Sequence, residues 1–205
     1  MKGYIFLIGV FCILCSCEDY YHDSGLANGK HDCTMWEYFE SQPGDWDSTM
    51  ILIEHAGLKS IFDGSGEYKQ ITFFGVTNLS IEQLLVKTID DDWEPIYNRV
   101  KDIPVDLCRE MLLSHIIPGK IMKTGFDYEV KGTLTGGTMV TTLSGVELRV
   151  YRTKSGYGGI PDIGAEGLRI HAPVSGNIAS IASADIEVTN GVVHALDYTY
   201  QFTQL

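Results

Sequence analysis

The chain has 205 residues, with 15 lysines and arginines against 27 aspartates and glutamates and a formal net charge of −12 at pH 7. So acidic a chain is repelled by nucleic-acid phosphates and by anionic lipid headgroups, which excludes both as general electrostatic partners. The length suits one ordinary domain preceded by a leader, and the sequence contains no internal repeat.

The first sixteen residues have the layout of an export signal. Lys2 gives a positive start, and an apolar run over residues 4–15 follows. This run is shorter than the roughly 20 residues that a membrane-spanning helix needs, and it suits the hydrophobic part of a signal peptide. Its end, Leu14-Cys15-Ser16-Cys17, resembles the lipobox of bacterial lipoproteins. The resemblance implies cleavage after Ser16 and acylation of Cys17, with palmitate as one of the chains.

Residues 17–33 are predicted to form the lipidated N-terminus and a tether, because they are polar and follow no sustained period. The folded domain is then expected over residues 34–205. We expect an outer-membrane lipoprotein held by the acyl chains on Cys17, since several chains give stable anchoring. Glu18 and Asp19 directly after Cys17 resemble the start of lipoproteins displayed on the outer surface.

Apolar residues at helical spacing predict short helices in the first half of the folded region. Capping-box spacing places helix starts at Thr34 and at Ser80. A further helix is predicted from residue 47 or 48 to a stop at Gly57, and another opens near Pro104. Between these helices, the β-branched and aromatic residues 71–74 predict a buried strand.

The pattern changes to a period of two after Gly119, which predicts strands. These strands are expected over residues 128–134, 138–143, 146–151, 168–171, 178–188 and 192–202. Hairpin turns are predicted at residues 136–137 and 144–145, and the strongest turn signal is Asn190-Gly191, where both residues can adopt a positive φ. Helices first and strands second indicate an α+β domain with a largely antiparallel sheet.

Three segments, in this order, resemble the fasciclin domain. Residues 71–78 are similar to the first box of the family, an apolar strand running into Ala-Pro-Thr-Asn, although Gly75-Val76 stands here where Ala-Pro is usual. Residues 113–119 resemble the central His-x-x-Pro-Gly element. Residues 184–197 resemble the second box, including its Asn-Gly-x-x-His-x-x-Asp pattern. The resemblance covers roughly residues 34–203, a domain-sized span.

Membership of this family implies a fasciclin-like β-sandwich or wedge with a layer of short helices. It also implies adhesion or ligand binding at a surface without catalysis. In animal members a Tyr-His pair is tied to integrin adhesion, and Ser114-His115 at this position argues against integrin-type binding. The remaining motif residues are expected to be structural: His115, Pro118, Gly119, Asp185, Asn190, Gly191, His194 and Asp197.

We expect no enzyme activity, cofactor or metal site. No catalytic elbow or triad accompanies His115, and no set of residues has the ligand spacing of a zinc site. The acidic run 90–92 lacks the alternating acids and glycine of a calcium loop, and it is interpreted as a solvated helix end. Cys33 and Cys108 could pair in an oxidising compartment or remain free thiols.

The glycine-rich segment 151–167 is the candidate partner-binding loop. It does not match a dinucleotide or phosphate-binding fingerprint. It reads either as a mobile hairpin extension or as a recognition loop, since binding residues concentrate on loops held by a rigid scaffold. Its contact residues would be Tyr157, Ile160 and Asp162.

The leading hypothesis is a membrane-anchored, non-catalytic adhesion or interaction domain that binds an extracytoplasmic protein. The alternative is a glycan-binding accessory lipoprotein of a surface nutrient-uptake system, and a hydrolase is a third possibility. A broad apolar patch would favour a protein ligand, and a flat aromatic platform would favour a glycan. A hydrolase would need an exposed nucleophile within hydrogen-bond reach of a histidine.

Overall fold

A computed structural model describes residues 29–200 of the chain. The predicted signal peptide, the predicted lipidation site Cys17 and the first part of the predicted tether lie outside the described residues. Helices precede most of the strands: α1 (Met35–Ser41), α2 (Pro43–His55), α3 (Lys59–Phe62), α4 (Asn78–Lys87) and α5 (Val105–Leu113). No helix within residues 29–200 is both long and apolar enough to cross a membrane.

The capping box at Thr34 is confirmed. The Thr34 hydroxyl accepts a hydrogen bond from the Glu37 amide at 3.2 Å, and the Glu37 carboxylate accepts one from the Thr34 amide at 2.8 Å. The predicted stop at Gly57 is also confirmed, because α2 ends at His55 and Gly57 has a φ of 67°.

Two predicted helix starts are wrong. Helix α2 begins at Pro43 rather than at residue 47 or 48, because the fixed φ of proline suits the first helical turn. Helix α4 begins at Asn78, with Thr77 as its N-cap, rather than at Ser80. The Asn78 side chain links the two helices, since its oxygen accepts a hydrogen bond from the Ser48 amide at 2.8 Å. This contact holds the first turn of α4 against α2.

Seven strands form one sheet with the order β2-β1-β7-β6-β5-β4-β3. Strands β1 and β7 are parallel, and every other neighbouring pair is antiparallel. Their bounds are β1 (Ile71–Gly75), β2 (Ile116–Pro118), β3 (Thr138–Thr141), β4 (Glu147–Lys154), β5 (Glu166–His171), β6 (Ile178–Val188) and β7 (Gly191–Leu196).

The long strand β6 joins the two halves of the sheet. Residues 178–180 pair with β5, and residues 181–188 pair with β7 across two shifts of register. Asp185 lies at the second shift with a φ of 62°. At the far ends of the sheet, the Leu143 amide after β3 donates to the Ile116 carbonyl of β2 at 2.8 Å. The sheet is thus nearly closed, and the predicted α+β wedge is confirmed.

Aromatic rings from the helices and from β1 pack together within a largely aliphatic core. The rings of Phe39 and Trp46 stack with centroids 4.6 Å apart, and those of Phe62 and Phe73 meet edge to face at 5.0 Å. All four side chains are buried. Rings in these geometries gain about 1 kcal/mol per pair beyond their buried area, so this cluster fixes the helical layer on the sheet.

Two predicted strand assignments need correction. Residues 128–134 form a loop in which only Tyr128 and Glu129 make isolated bridges, because Gly132 has a positive φ and turns the chain. Strand β7 ends at Leu196 rather than continuing to residue 202. There the Asp197 carboxylate accepts hydrogen bonds from the amide and hydroxyl of Thr199, which forms a turn.

The last part of the predicted tether is bound to the folded domain. Residues 29–33 lie along β6: the His31 amide donates to the Glu187 carbonyl at 2.8 Å, and the Glu187 amide donates to the Gly29 carbonyl at 2.6 Å. The carbonyl of Cys33 accepts from both the amide and the hydroxyl of Thr189. Backbone pairing, which side-chain patterns do not reveal, therefore attaches residues 29–33 to the domain.

Candidate functional site

The predicted recognition loop contacts a second loop. We call residues 128–137 and 155–165 together the loop pair. The first loop follows the edge of β4, where the Glu129 amide donates to the Arg152 carbonyl at 3.0 Å. The Lys131 ammonium donates to the Lys154 carbonyl at 2.8 Å and forms an ion pair with Asp162. Two segments far apart in sequence are therefore joined at one surface.

Tyr157 and Ile160 form the tip of the second loop. Each donates its amide to the carbonyl of the other at 3.0 Å, across a tight turn whose residues Gly158 and Gly159 have φ values of 59° and 81°. Glycine adopts these values without the Cβ clash of other residues, so the turn requires this pair. The tip is thus a small hairpin closed by two backbone hydrogen bonds.

The side chains at this tip are exposed. Tyr157 is 76% exposed and Ile160 is 56% exposed, and the neighbouring Ile163 is 58% exposed. On the first loop, Val130 and Leu134 are 52% and 70% exposed. The third predicted contact residue, Asp162, differs from these because its carboxylate is held by Lys131. It is a link between the loops, and the exposed contact area is mainly apolar.

A cavity of about 360 Å³ lies beneath the loop pair. It is lined by Tyr128, Glu129, Lys131, Arg152, Lys154 and Asp162. The Arg152 guanidinium lies 4.0 Å from the centroid of the Tyr128 ring, and the Lys154 ammonium lies 4.9 Å from it. These cation–π contacts occupy the tyrosine ring, which is consequently not an open platform for a ligand.

Glu166 lies beside this cavity and contacts residues that line it. The Tyr128 hydroxyl donates to Glu166, and the Lys154 ammonium lies 3.4 Å from the same carboxylate. The hydrogen bond from Tyr128, followed by the contact with Lys154, lowers the pKa of Glu166. A carboxylate held ionised in this way accepts protons poorly, so it positions its neighbours rather than acting as a general base.

His115 lies in the core between α5 and β2. Its Nδ1 is 2.7 Å from the Met111 carbonyl, and its Nε2 is 2.9 Å from the Tyr200 hydroxyl. A neutral ring protonated at Nδ1 satisfies both contacts. Burial lowers the pKa of His115 to about 4. The adjacent Ser114 hydroxyl donates to the Met111 carbonyl at 2.7 Å and is also buried, so this serine and histidine are inaccessible to a substrate.

His194 and Asp185 bind the backbone at the irregular part of β6. The Asp185 amide donates to Nδ1 of His194 at 3.1 Å, and Nε2 of His194 is 3.0 Å from the Ile121 carbonyl. The Asp185 carboxylate accepts from the Lys123 amide at 2.6 Å. Burial is the main cause of the lowered pKa of His194, which keeps the ring neutral.

Asn190 connects the β6–β7 hairpin to the helices. Its side-chain oxygen accepts from the Met35 amide at 2.7 Å, and its nitrogen donates to the Phe62 carbonyl at 2.8 Å. A hairpin is present where Asn190-Gly191 predicts one, but the turn residues are Thr189 and Asn190, because Gly191 already pairs with Val188. Asn190 has no positive φ, and its role is to bind other segments.

The remaining motif and cysteine residues are placed as follows. Pro118 ends β2, and Gly119 turns the chain after this strand with a φ of 87°. Cys33 and the buried Cys108 are free thiols. Among residues 29–200, no cluster of three or more histidine, cysteine or acidic side chains could hold a metal ion.

Comparison with known protein families identifies the domain. The fasciclin domain model matches residues 44–199, which is more than half of the chain. The chain belongs to the fasciclin domain family. Among solved structures, this fasciclin domain is similar to a FAS1 domain pair from the insect cell adhesion molecule Fasciclin I, with 15% identity and a TM-score of 0.46. That match covers 83% of this chain and 45% of the other, and no curated protein shows a significant match.

One departure of this fasciclin domain from its family has a structural explanation. Gly75 stands where alanine is usual in the first box. A Cβ at this position would lie 2.6 Å from Cη2 of Trp46 and 3.0 Å from a methyl of Val193. The Trp46 ring therefore fills the space that the usual side chain would occupy, and the strand keeps its path.

Sequence reasoning found one of the two loops in the candidate site. The sequence pattern predicts a strand for the first loop and gives no signal for Lys131 or Tyr128 as site residues. The alternation of Tyr128 and Val130 with Glu129 and Lys131 indicates a strand, and no local pattern identifies Asp162 as the partner of Lys131. The glycines at 132, 136 and 137 are the signal that favours a loop.

Proposed function

We propose that this fasciclin domain is a membrane-anchored, non-catalytic interaction domain that binds an extracytoplasmic protein through the loop pair. The main support is the set of exposed apolar side chains carried by two loops. The Lys131–Asp162 ion pair joins these loops, and backbone hydrogen bonds fix each loop by itself. Surfaces of this kind, apolar and set among charges, are typical of protein contact sites. Family membership agrees with an adhesion-type role.

The loop pair favours a protein over a glycan as ligand. Aliphatic side chains supply most of its exposed apolar groups, and Tyr157 is the one largely exposed ring in these two fully described loops. Sugar recognition uses flat aromatic faces, whereas Tyr128 lies half-buried under two cations. If the domain binds members of an oligosaccharide panel and no protein partner is detected, a glycan is the favoured ligand instead.

The anchor is proposed from the lipobox at residues 14–17 alone. Cells expressing wild type, Cys17→Ala or Cys33→Ala would be labelled with a palmitate analogue and fractionated. We expect label and membrane retention in wild type and Cys33→Ala, and loss of both in Cys17→Ala. If the domain is displayed on the outer surface, a protease added to intact cells should digest it. Equal labelling of Cys17→Ala and wild type would contradict a lipid anchor on this cysteine.

The partner contact is tested with paired variants of the full-length protein. Tyr157→Ala/Ile160→Ala removes the tip of the second loop, and Val174→Ala removes a side chain that is 94% exposed on the β5–β6 turn. Proteins that co-isolate with the wild type after crosslinking on cells should be lost, by at least about tenfold, only with the loop variant. Retention of the same partners by the loop variant would contradict the proposed site.

A further inference from the structure

A second surface, separate in sequence from the loop pair, presents an exposed tryptophan. Trp93 is 80% exposed, whereas Trp36 and Trp46, the other tryptophans of the chain, are 5% and 2% exposed. Its backbone has a φ of 65°, a value that bulky residues rarely adopt. Covering such an exposed ring with a partner removes apolar surface from water, which lowers the free energy of the complex.

The segment that carries Trp93 is an ordered hairpin, which we call the Trp93 hairpin (residues 88–96). Ile89 and Pro95 form an antiparallel bridge, and the Ile96 amide donates to the Thr88 carbonyl at 2.8 Å. The Asp90 carboxylate accepts from the amides of Asp92 and Glu94 at 2.9 and 3.0 Å. A ring held on an ordered support loses little conformational freedom on binding, which favours affinity.

Further apolar groups accompany the ring. Ile89 and Ile96, on opposite arms of the hairpin, are 38% and 51% exposed. Val86, near the end of α4, is 65% exposed. Together with Trp93 they offer a partner several exposed apolar side chains on the hairpin and on the helix end that precedes it, and aromatic and apolar anchors dominate the binding energy of many interfaces.

The charges around the ring define the partner. Asp91, Asp92 and Glu94 are exposed, and no ion pair joins them to a cation anywhere in residues 29–200. These acids repel an anionic membrane surface and other acidic proteins. A lysine or arginine side chain could instead stack on the indole and approach the carboxylates.

We propose that the Trp93 hairpin is a second binding surface, and that it docks a protein segment in which arginine or lysine side chains alternate with apolar ones. Trp93 covers the cationic side chain, and the flanking acids neutralise it. The apolar residues of the partner lie against Ile89, Ile96 and Val86. This surface operates independently of the loop pair.

The probe is a short fluorescein-labelled peptide of alternating arginine, leucine and glycine, and a matched peptide carries glutamine in place of arginine. Full-length protein would be titrated against both while fluorescence anisotropy is recorded. We expect saturable binding of the arginine peptide, with a shift in tryptophan emission, and at least tenfold weaker binding of the glutamine peptide. Equal binding of both peptides, or no binding of either, would overturn the proposal.

Paired variants test whether the peptide binds at this hairpin or responds only to the overall negative charge of the protein. Trp93→Ala should weaken binding at least about fivefold, and Tyr198→Ala, another exposed aromatic residue, should leave it unchanged. Asp91→Asn/Asp92→Asn should weaken binding more than Glu67→Gln/Glu147→Gln, which removes the same charge elsewhere. Equal effects of the two charge pairs, or wild-type binding by Trp93→Ala, would contradict the proposal.

A lipid surface is the competing occupant. Phosphatidylcholine vesicles should leave the tryptophan emission of the full-length protein unchanged. A shift of this emission to shorter wavelength with vesicles, lost in Trp93→Phe/Ile96→Ser, would assign the hairpin to the membrane and overturn the proposal.

Discussion

At the scale of single residues, the polar groups of the family motifs hold the backbone of distant segments in place. Asn190 is the clearest case, because it satisfies the Met35 amide and the Phe62 carbonyl at once while only 7% exposed. The sequence indicates a turn here, but the partners lie 155 and 128 residues away and no local pattern reveals them.

Replacement of this side chain tests its role. Asn190→Ala would leave two buried backbone groups unpaired, at about 1–3 kcal/mol each. We expect the free energy of unfolding, measured with urea, to fall by about 2–4 kcal/mol. Asn177→Ala, in an exposed turn, is the control and should change it by less than about 0.5 kcal/mol. An equally small change for Asn190→Ala would show that these hydrogen bonds add little.

His115 predicts a pH dependence of stability. Its pKa is lowered from 6.5 to about 4 because it is buried, so the folded state holds the ring neutral while the unfolded chain takes up a proton below about pH 6.5. The stabilisation is therefore fully present above about pH 6.5 and is lost as the pH falls towards 4, by roughly 3 kcal/mol for this group. The lowered pKa of His194 acts in the same direction. An NMR titration of the His115 ring with a midpoint near 6.5 would contradict this.

At the scale of elements, the bounds of the helices and strands show which sequence signals are sufficient to predict where an element begins or ends. The capping box at Thr34 and the stop at Gly57 follow from local patterns, because the responsible contacts lie within a few residues. The bounds of β6 also agree with the prediction, although its register shifts twice. The starts of α2 and α4 do not, because Ser48 and Ser80, which resemble helix caps, lie within the helices. Residues 128–134 have the strand pattern, but Gly132 turns the chain after the isolated bridges of Tyr128 and Glu129.

The packing of β1 against α2 gives a second testable element. Gly75→Ala places a methyl 2.6 Å from the Trp46 ring, which should reduce stability by about 1–3 kcal/mol. In Trp46→Phe/Gly75→Ala the ring is smaller, so the combined loss should be less than the sum of the single losses by about 1 kcal/mol. Gly44→Ala, with no neighbouring atom within 4 Å, is the control. Strict additivity in urea unfolding would contradict direct packing.

At the scale of the whole molecule, the sequence predicts the α+β class and the fasciclin layout, and the structure adds how the sheet closes. Strand β6 pairs with β5 in one half of the sheet and with β7 in the other. The backbone after β3 donates a hydrogen bond to β2, which brings the two ends of the sheet together. This architecture leaves the loops around β4 and β5 free of core packing. The pairing of the two loops through Lys131 and Asp162 is a long-range ion pair, which residue patterns do not encode.

Site-specific photo-crosslinking on intact cells tests the proposed function most directly. A photoreactive amino acid would replace Ile160 at the loop tip or, as the control, Val174 on the β5–β6 turn. We predict a discrete protein adduct from position 160, absent from position 174 and reduced by Tyr157→Ala. Adducts that are the same at both positions, or none at position 160 in cells that display the protein, would contradict a protein-binding role for the loop pair.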